Sequence, residues 1–269
     1  MFDSSLLGSP GIIALSACGN FVFMVSENSP AFAVVDVGTN SSSPIIVGSI
    51  ADDWRLEGAH AGIAASLDGR FAYALGHTAD TFVVVNVTDP TDPTVAGSVT
   101  DSSSLDYAYY VATSVDGQYA YVSTCDGDGL TVVDVTDPRN PTIAGSITGD
   151  ATTLNCASGV GVSPHGGMVY VAGRESDSLA IVNVSDPTAP SVVGSIVGDS
   201  RMNRPMGIAV SMDGSLAFVA ASWSNGVVVV DVGSDPTNPV VLGSIASSST
   251  LNNCHNAAQS PHADIVYAT

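Results

Sequence analysis

One passage is written five times along this chain. It reads FAVVDVGTNSSSPIIVGSI from Phe32, FVVVNVTDPTDPTVAGSV from Phe82, LTVVDVTDPRNPTIAGSI from Leu130, LAIVNVSDPTAPSVVGSI from Leu179 and VVVVDVGSDPTNPVVLGSI from Val227. A second landmark, Ser-x-Asp-Gly ahead of an apolar run, precedes each copy. Its glycines, Gly19, Gly69, Gly117, Gly166 and Gly214, fall 48–50 positions apart, and Ala263 holds a sixth equivalent place. A fixed period of this length means one supersecondary unit stacked on copies of itself.

Each repeat reads as four short strands. Two flank the Ser-x-Asp-Gly hairpin, where glycine takes a positive backbone angle at little cost. The third is the VVDV-type run, and the fourth ends in Gly-Ser-Ile or its variants. Asp-Pro-x-x-Pro joins the last two in Asp89–Pro93, Asp137–Pro141 and Asp186–Pro190. There the aspartate accepts local hydrogen bonds and proline forbids helix. The second proline enters the fourth strand at its start, which suits an outer strand. Runs such as Val227–Val230 lack the alternation of a half-exposed strand, so both faces of each sheet should be covered. The spacing therefore predicts an all-β fold: a β-propeller of about six blades, each a four-stranded antiparallel sheet. The repeats cover 11–50, 62–99, 109–147, 159–196, 207–245 and, in part, 256–269, as a single domain over 1–269. The sixth blade is incomplete in this chain, with first and second strands only. Ser5–Ser9 resembles Val241–Ser244 and is a candidate for its outer strand. A linear solenoid is the competing architecture, but no distinct caps are visible.

Charge narrows the function. The chain has no lysine, and six arginines face 26 acids for a net charge of -20. Such a surface repels phosphate backbones, which excludes nucleic-acid binding. No apolar run approaches the ~20 residues that cross a bilayer. The opening MFDSSLLGSPG carries an acid where a signal peptide has positive charge, so no signal peptide is visible.

VVDV, VVNV and IVNV followed by Asp-Pro-x-x-Pro and Gly-Ser-Ile resemble the LVIVD-repeat family of β-propellers, over about residues 11–269. The Ser66–Ala74 and Ser114–Val122 elements are similar to the broader surface-layer YVTN propellers. The resemblance implies an exported, extracellular or cell-surface (envelope) protein, often one module of a larger polypeptide. It supplies no catalytic residues to carry over. Departures are Cys18 and His165 at the turn aspartate, Ala263 at its glycine, and the unfinished sixth repeat.

Variation concentrates in the loops entering each repeat and in those joining second to third strands, the pattern of a binding face on a constant scaffold. Trp54, Arg55, His60, Tyr107, Tyr109, Arg201, Arg204, Trp223 and His255 are the large or charged groups there. Exposed aromatics among them are candidate contacts for a protein or glycan partner. Packing over a blade, or pairing of each arginine with a local aspartate, is the plain alternative. Asp101, Asp150 and Asp199 recur after Gly-Ser, and Asp126 and Asp128 share a tight turn. These are weak calcium candidates, since no EF-hand spacing is present and turn capping accounts for them equally. No other cofactor is expected. The histidines form no HExxH, and no nucleophile–histidine–acid set stands out. Of four cysteines, Cys125 closes a second strand and Cys156 enters the next repeat, which makes them the preferred disulfide and would fit export. Asn40, Asn86 and Asn183 match the glycosylation acceptor pattern, although Asn86 and Asn183 stand where other repeats carry a turn aspartate.

These observations lead to an expected noncatalytic extracellular or envelope module that binds protein or glycan through its loop face. One alternative is a hydrolase or lyase with a site in a central depression. Another is an assembly component whose sixth blade another segment or chain completes.

Overall fold

The computed structural model describes residues 10–26, 31–38, 42–51, 53–59, 62–260 and 265–269. Within them lie five four-stranded antiparallel sheets, each ordered one-two-three-four along the chain, and a final two-stranded sheet. The sheets are arranged as propeller blades. The fourth, for example, comprises Ala157–Val162, Met168–Gly173, Ser178–Asn183 and Ser191–Val197. The sixth contributes Ala257–Gln259 and Val266–Ala268. Among the described residues the one helical element is a 3-10 turn at Trp54–Leu56. By contacts the chain packs as two compact units: Met1–Val122 with Val133–Ile143, and Ser123–Val132 with Ala144–Thr269.

Local chemistry explains why the repeats fold this way. At the first hairpin of blade three, Ser114 Oγ donates to Asp116 Oδ1 (2.6 Å) and accepts from Tyr119 N–H (3.0 Å). Asp116 also accepts from Gln118 N–H, and Gly117 completes the turn at φ +72°. Blades two and five repeat the arrangement around Asp68 and Asp213. After the third strand, Asp36, Asn86, Asp134, Asn183 and Asp231 each accept a backbone N–H two residues on. Asn86 and Asn183 thus serve the same turn as the aspartates. The Asp-Pro connections are held the same way, with Thr91, Arg139 and Thr188 donating to Asp89, Asp137 and Asp186.

Third strands are the most deeply buried. Phe32, Phe82, Leu130, Leu179 and Val228 are fully inaccessible. Each such side chain stabilises the fold by about 1.5–3 kcal/mol. One apolar cluster gathers Phe23, Phe32, Leu56 and Val83; another gathers Tyr170, Ile181, Met202 and Val228.

The recurring Gly-Ser of the fourth strand has a steric cause. A Cβ on Gly97 would lie 2.7 Å from the Arg139 and Pro138 carbonyl oxygens, and one on Gly145 would lie 2.6 Å from the Pro187 oxygen. Gly48 and Gly194 meet the Pro90 and Pro236 carbonyls in the same way. The outer strands of blades one to four therefore each seat the Asp-Pro turn of the following blade. Gly243 in blade five meets nothing within 4 Å among the described residues.

Candidate functional site

A repeated clasp organises the loops between successive blades. The last residue of each second-to-third-strand turn adopts a left-handed backbone: Asp80, Asp128, Asp177 and Asn225 have φ of 45–51°. Its side-chain oxygen accepts the N–H of a second left-handed residue, at the entry to the following blade. The pairs are Asp80–Tyr107 (3.1 Å), Asp128–Cys156 (2.8 Å), Asp177–Arg204 (2.7 Å) and Asn225–Asn253 (2.8 Å). Non-glycine residues seldom hold this conformation, and the short polar side chains of Asp and Asn tolerate it best.

Around this common backbone the side chains differ. At Asp80–Tyr107, buried His77 lies against Tyr107, with Tyr109 edge-on at 5.7 Å, and His77 Nδ1 is 2.9 Å from the Ala108 carbonyl. At Asp128–Cys156, a Cys125–Cys156 disulfide joins the two loops. At Asp177–Arg204, Arg204 Nη2 donates to Glu175 Oε1 at 2.9 Å, and Arg174 Nε lies 3.3 Å from the same oxygen. The Arg204 guanidinium also stacks 4.6 Å from the centroid of Trp223, which is 62% exposed. Its Nε is buried with no hydrogen-bond acceptor among the described residues, a cost that stacking on the indole offsets.

The other residues singled out from the sequence fall as follows. In the first compact unit, Arg55 is engaged by its neighbour Asp53 (Nε to Oδ1, 2.8 Å), which lowers the carboxyl's pKa and raises the guanidinium's. Trp54 is 61% exposed at the start of the 3-10 turn. Asp101 caps its own loop, accepting from Ser103 and Ser104. In the second unit, Asp150 accepts from Thr152 and Thr153, and Asp199 from Arg201. Asp126 is exposed, and Asp128 is the clasp residue. No three His, Cys, Asp or Glu side chains converge to hold a metal among the described residues. His255 N–H donates to the Thr269 carbonyl (2.6 Å) in the last sheet. His60 and Asn40 lie outside the described residues.

Glu175 and Arg174 were not singled out from the sequence. The one available signal was composition: glutamate occurs only at positions 27, 57 and 175, and Arg174-Glu175 is an adjacent opposite-charge pair in a loop that varies between repeats. Concavities among the described residues lie elsewhere, among the Asp-Gly and Asp-Pro turns. One of about 320 Å³ is lined by Asp68, Arg70, Asp116 and Pro138, and another of about 470 Å³ by Ser16, Cys18, Asp68 and Pro90. Their carboxylates accept the turn hydrogen bonds, whereas the Glu175–Arg204–Trp223 group joins a carboxylate, a guanidinium and an exposed indole.

No curated protein matches the chain. Among solved structures, the periplasmic gluconolactonase of Pseudomonas aeruginosa superposes with a TM-score of 0.78 at 14% identity, covering 96% of this chain and 77% of its own. A Lactobacillus plantarum protein gives 0.75 at 17% identity, covering 89% and 71%. A Bacteroides fragilis protein provisionally assigned as a 6-phosphogluconolactonase gives 0.71 at 14%, covering 93% and 71%. At these identities the likeness establishes the shared fold. The expected noncatalytic interaction role is corrected by these findings, which sit better with the hydrolase alternative: one superposed structure is a gluconolactonase and another is provisionally assigned as a 6-phosphogluconolactonase. The LVIVD repeat model matches residues 13–52, 62–101, 106–149, 157–197 and 206–247, and the chain belongs to the LVIVD repeat family.

Proposed function

We propose that this protein is a hydrolase that opens sugar lactones. The observation that carries the reading is its superposition on a gluconolactonase over 96% of the chain. The group on the fourth-to-fifth blade clasp has the chemistry the reaction needs. Ester hydrolysis calls for a base to take a proton from water and a cation to meet the oxyanion. Glu175 is a half-exposed carboxylate with guanidinium nitrogens 2.9 and 3.3 Å away. A water deprotonated by Glu175 attacks the lactone carbonyl carbon while a guanidinium N–H stabilises the developing oxyanion. The ring C–O bond then breaks, and Glu175 returns the proton to the departing alkoxide to give the open hydroxy acid. An exported or envelope location accompanies this reading, supported by the Cys125–Cys156 disulfide and the periplasmic setting of one structural neighbour.

The test is acid release from glucono-1,5-lactone in a pH-stat, corrected for spontaneous opening. Wild-type protein should accelerate it, and Glu175→Gln should lower kcat about a hundredfold, the scale of a lost general base. A rate no higher than buffer for every sugar lactone tried would overturn the assignment. Unchanged turnover in Glu175→Gln would remove Glu175 from the reaction.

A further inference from the structure

Both tryptophans of the chain are mostly exposed, but their settings differ. No described ring or guanidinium stacks on Trp54. Trp223 is tied to the neighbouring loop through its backbone: its main-chain N–H donates to the Asn203 carbonyl (3.2 Å), Asn203 N–H donates to Ser224 Oγ (3.0 Å), and the Arg204 guanidinium stacks on the indole. Arg204 is itself fixed by its left-handed backbone (φ +55°), by Asp177 at its N–H and by Glu175 at its side chain. An indole stacked on a guanidinium that still stays 62% exposed leaves apolar surface in water that no described residue covers.

The charge beside this platform is balanced. Arg174, Arg201 and Arg204 contribute +3, and Glu175, Asp177 and Asp199 contribute -3, so the group carries no net charge on a chain of -20. Arg201 is bound to Asp199 (Nη2 to Oδ2, 2.6 Å), and both other guanidiniums face Glu175. Each of these guanidiniums already faces a carboxylate, and the field of the whole chain repels dianions. What the group does offer is a flat apolar face flanked by paired donors and acceptors, which is complementary to a ring with one C–H face and a rim of hydroxyls.

We propose that Trp223, Arg204 and Glu175 form a sugar subsite for an unphosphorylated aldonolactone. The indole takes the C–H face of the ring, and the Arg204 guanidinium, held in place by Glu175, donates to a ring hydroxyl. This rests on the lactone-hydrolase reading and adds to it both the docking surface and the choice between neutral and phosphorylated substrates.

Binding can be read apart from turnover. The probe is gluconolactam, which is inert to hydrolysis, measured by calorimetry and by the fluorescence of Trp223 in a Trp54→Phe background. Expected are saturable binding with a fluorescence change, at least tenfold weaker binding in Trp223→Ala and Arg204→Ala, and at least tenfold weaker binding of the same lactam carrying a 6-phosphate. A tenfold or greater rise in KM for glucono-1,5-lactone in Trp223→Ala, with kcat little changed, would accompany them. Lactam binding without any lactone hydrolysis would keep the subsite and overturn the hydrolase assignment. Hydrolysis with the same KM in Trp223→Ala would keep the hydrolase and overturn the subsite. Preference for the phosphorylated ligand would overturn the neutral-substrate class. Melting curves of each variant establish that it is folded, and Trp223, being exposed, can be removed without opening a cavity.

Discussion

Replacing Gly145 by alanine should destabilise the protein, whereas the same change at Gly243 should not. Both glycines occupy the Gly-Ser of a fourth strand, so strand propensity and unfolded-state entropy change alike. The difference lies in what the new methyl meets. At Gly145 it would fall 2.6 Å from the Pro187 oxygen and 2.8 Å from the carbonyl carbon and oxygen of Thr188. These are backbone atoms of a turn that Asp186 and two prolines hold in place, so no rotamer change relieves the clash. Overpacking of this kind costs about 1–3 kcal/mol. For a protein of this size each kcal/mol moves the melting temperature by roughly 2–4 °C, which gives a fall of about 2–12 °C for Gly145→Ala. At Gly243 no described atom lies within 4 Å and the backbone angle is one alanine accepts. The expected change there is between zero and a gain of about 1 kcal/mol from the stiffer unfolded chain. Differential scanning calorimetry on the two variants and wild type makes the comparison. Equal losses in both, or none in Gly145→Ala, would refute the seating of the Asp-Pro turn on this strand.

Two further outcomes follow from the loops and turns, beside the hydrolysis and binding tests above. Cys125 and Cys156 are 31 positions apart, and closing a loop of that length is worth about 3–4 kcal/mol by chain entropy; reduction, or Cys125→Ser with Cys156→Ser, should lower the urea midpoint, and an unmoved midpoint would sink the idea. Hydrogen bonds from Ser211 Oγ first, then from Ser215 N–H and Oγ, hold the Asp213 carboxyl at about 2. A folded value depressed below the ordinary ~3.9 contributes stability that is complete above the unfolded value and lost as pH falls through the folded one. The gap in melting temperature between wild type and Asp213→Ala should therefore be constant from pH 7 to 5 and shrink from about pH 4 to about 2. A gap that widens on acidification would contradict the assignment.

Much of the fold is legible in the sequence because each strand announces itself locally. The Ser-x-Asp-Gly turns, the apolar third strands and the Asp-Pro connections are each set by contacts within a few residues, so their order survives reading from one dimension. Boundaries blur where the local signal is weak: the strand read as 62–66 is observed as Ile63–Ala65. Among the described residues the sixth repeat likewise yields two three-residue strands. The purpose of the Gly-Ser in the fourth strand is not legible, because the atoms that exclude a side chain there belong to the following blade. The same holds for the candidate site. Trp223 and Arg204 stand out as scarce residue types in variable loops, but the partner that gives them meaning, Glu175, is 29 positions from Arg204 and comes within reach only through the clasp. The recurring aspartates after Gly-Ser were ambiguous for the opposite reason: calcium coordination and loop capping ask for the same side chain, and only the hydrogen bonds of Asp101 and Asp150 to the two or three residues that follow distinguish them.

The clasps are alike in backbone and unlike in everything else, which gives each joint its own sensitivity. A reducing agent acts on the joint that carries the Cys125–Cys156 bridge and leaves its neighbours alone. Concentrated salt screens the half-exposed Arg204–Glu175 pair but does nothing to the contact of buried His77 with half-buried Tyr107. The weakest joint is therefore chosen by the surrounding medium as much as by the chain, and a protein handled in different buffers will begin to open in different places.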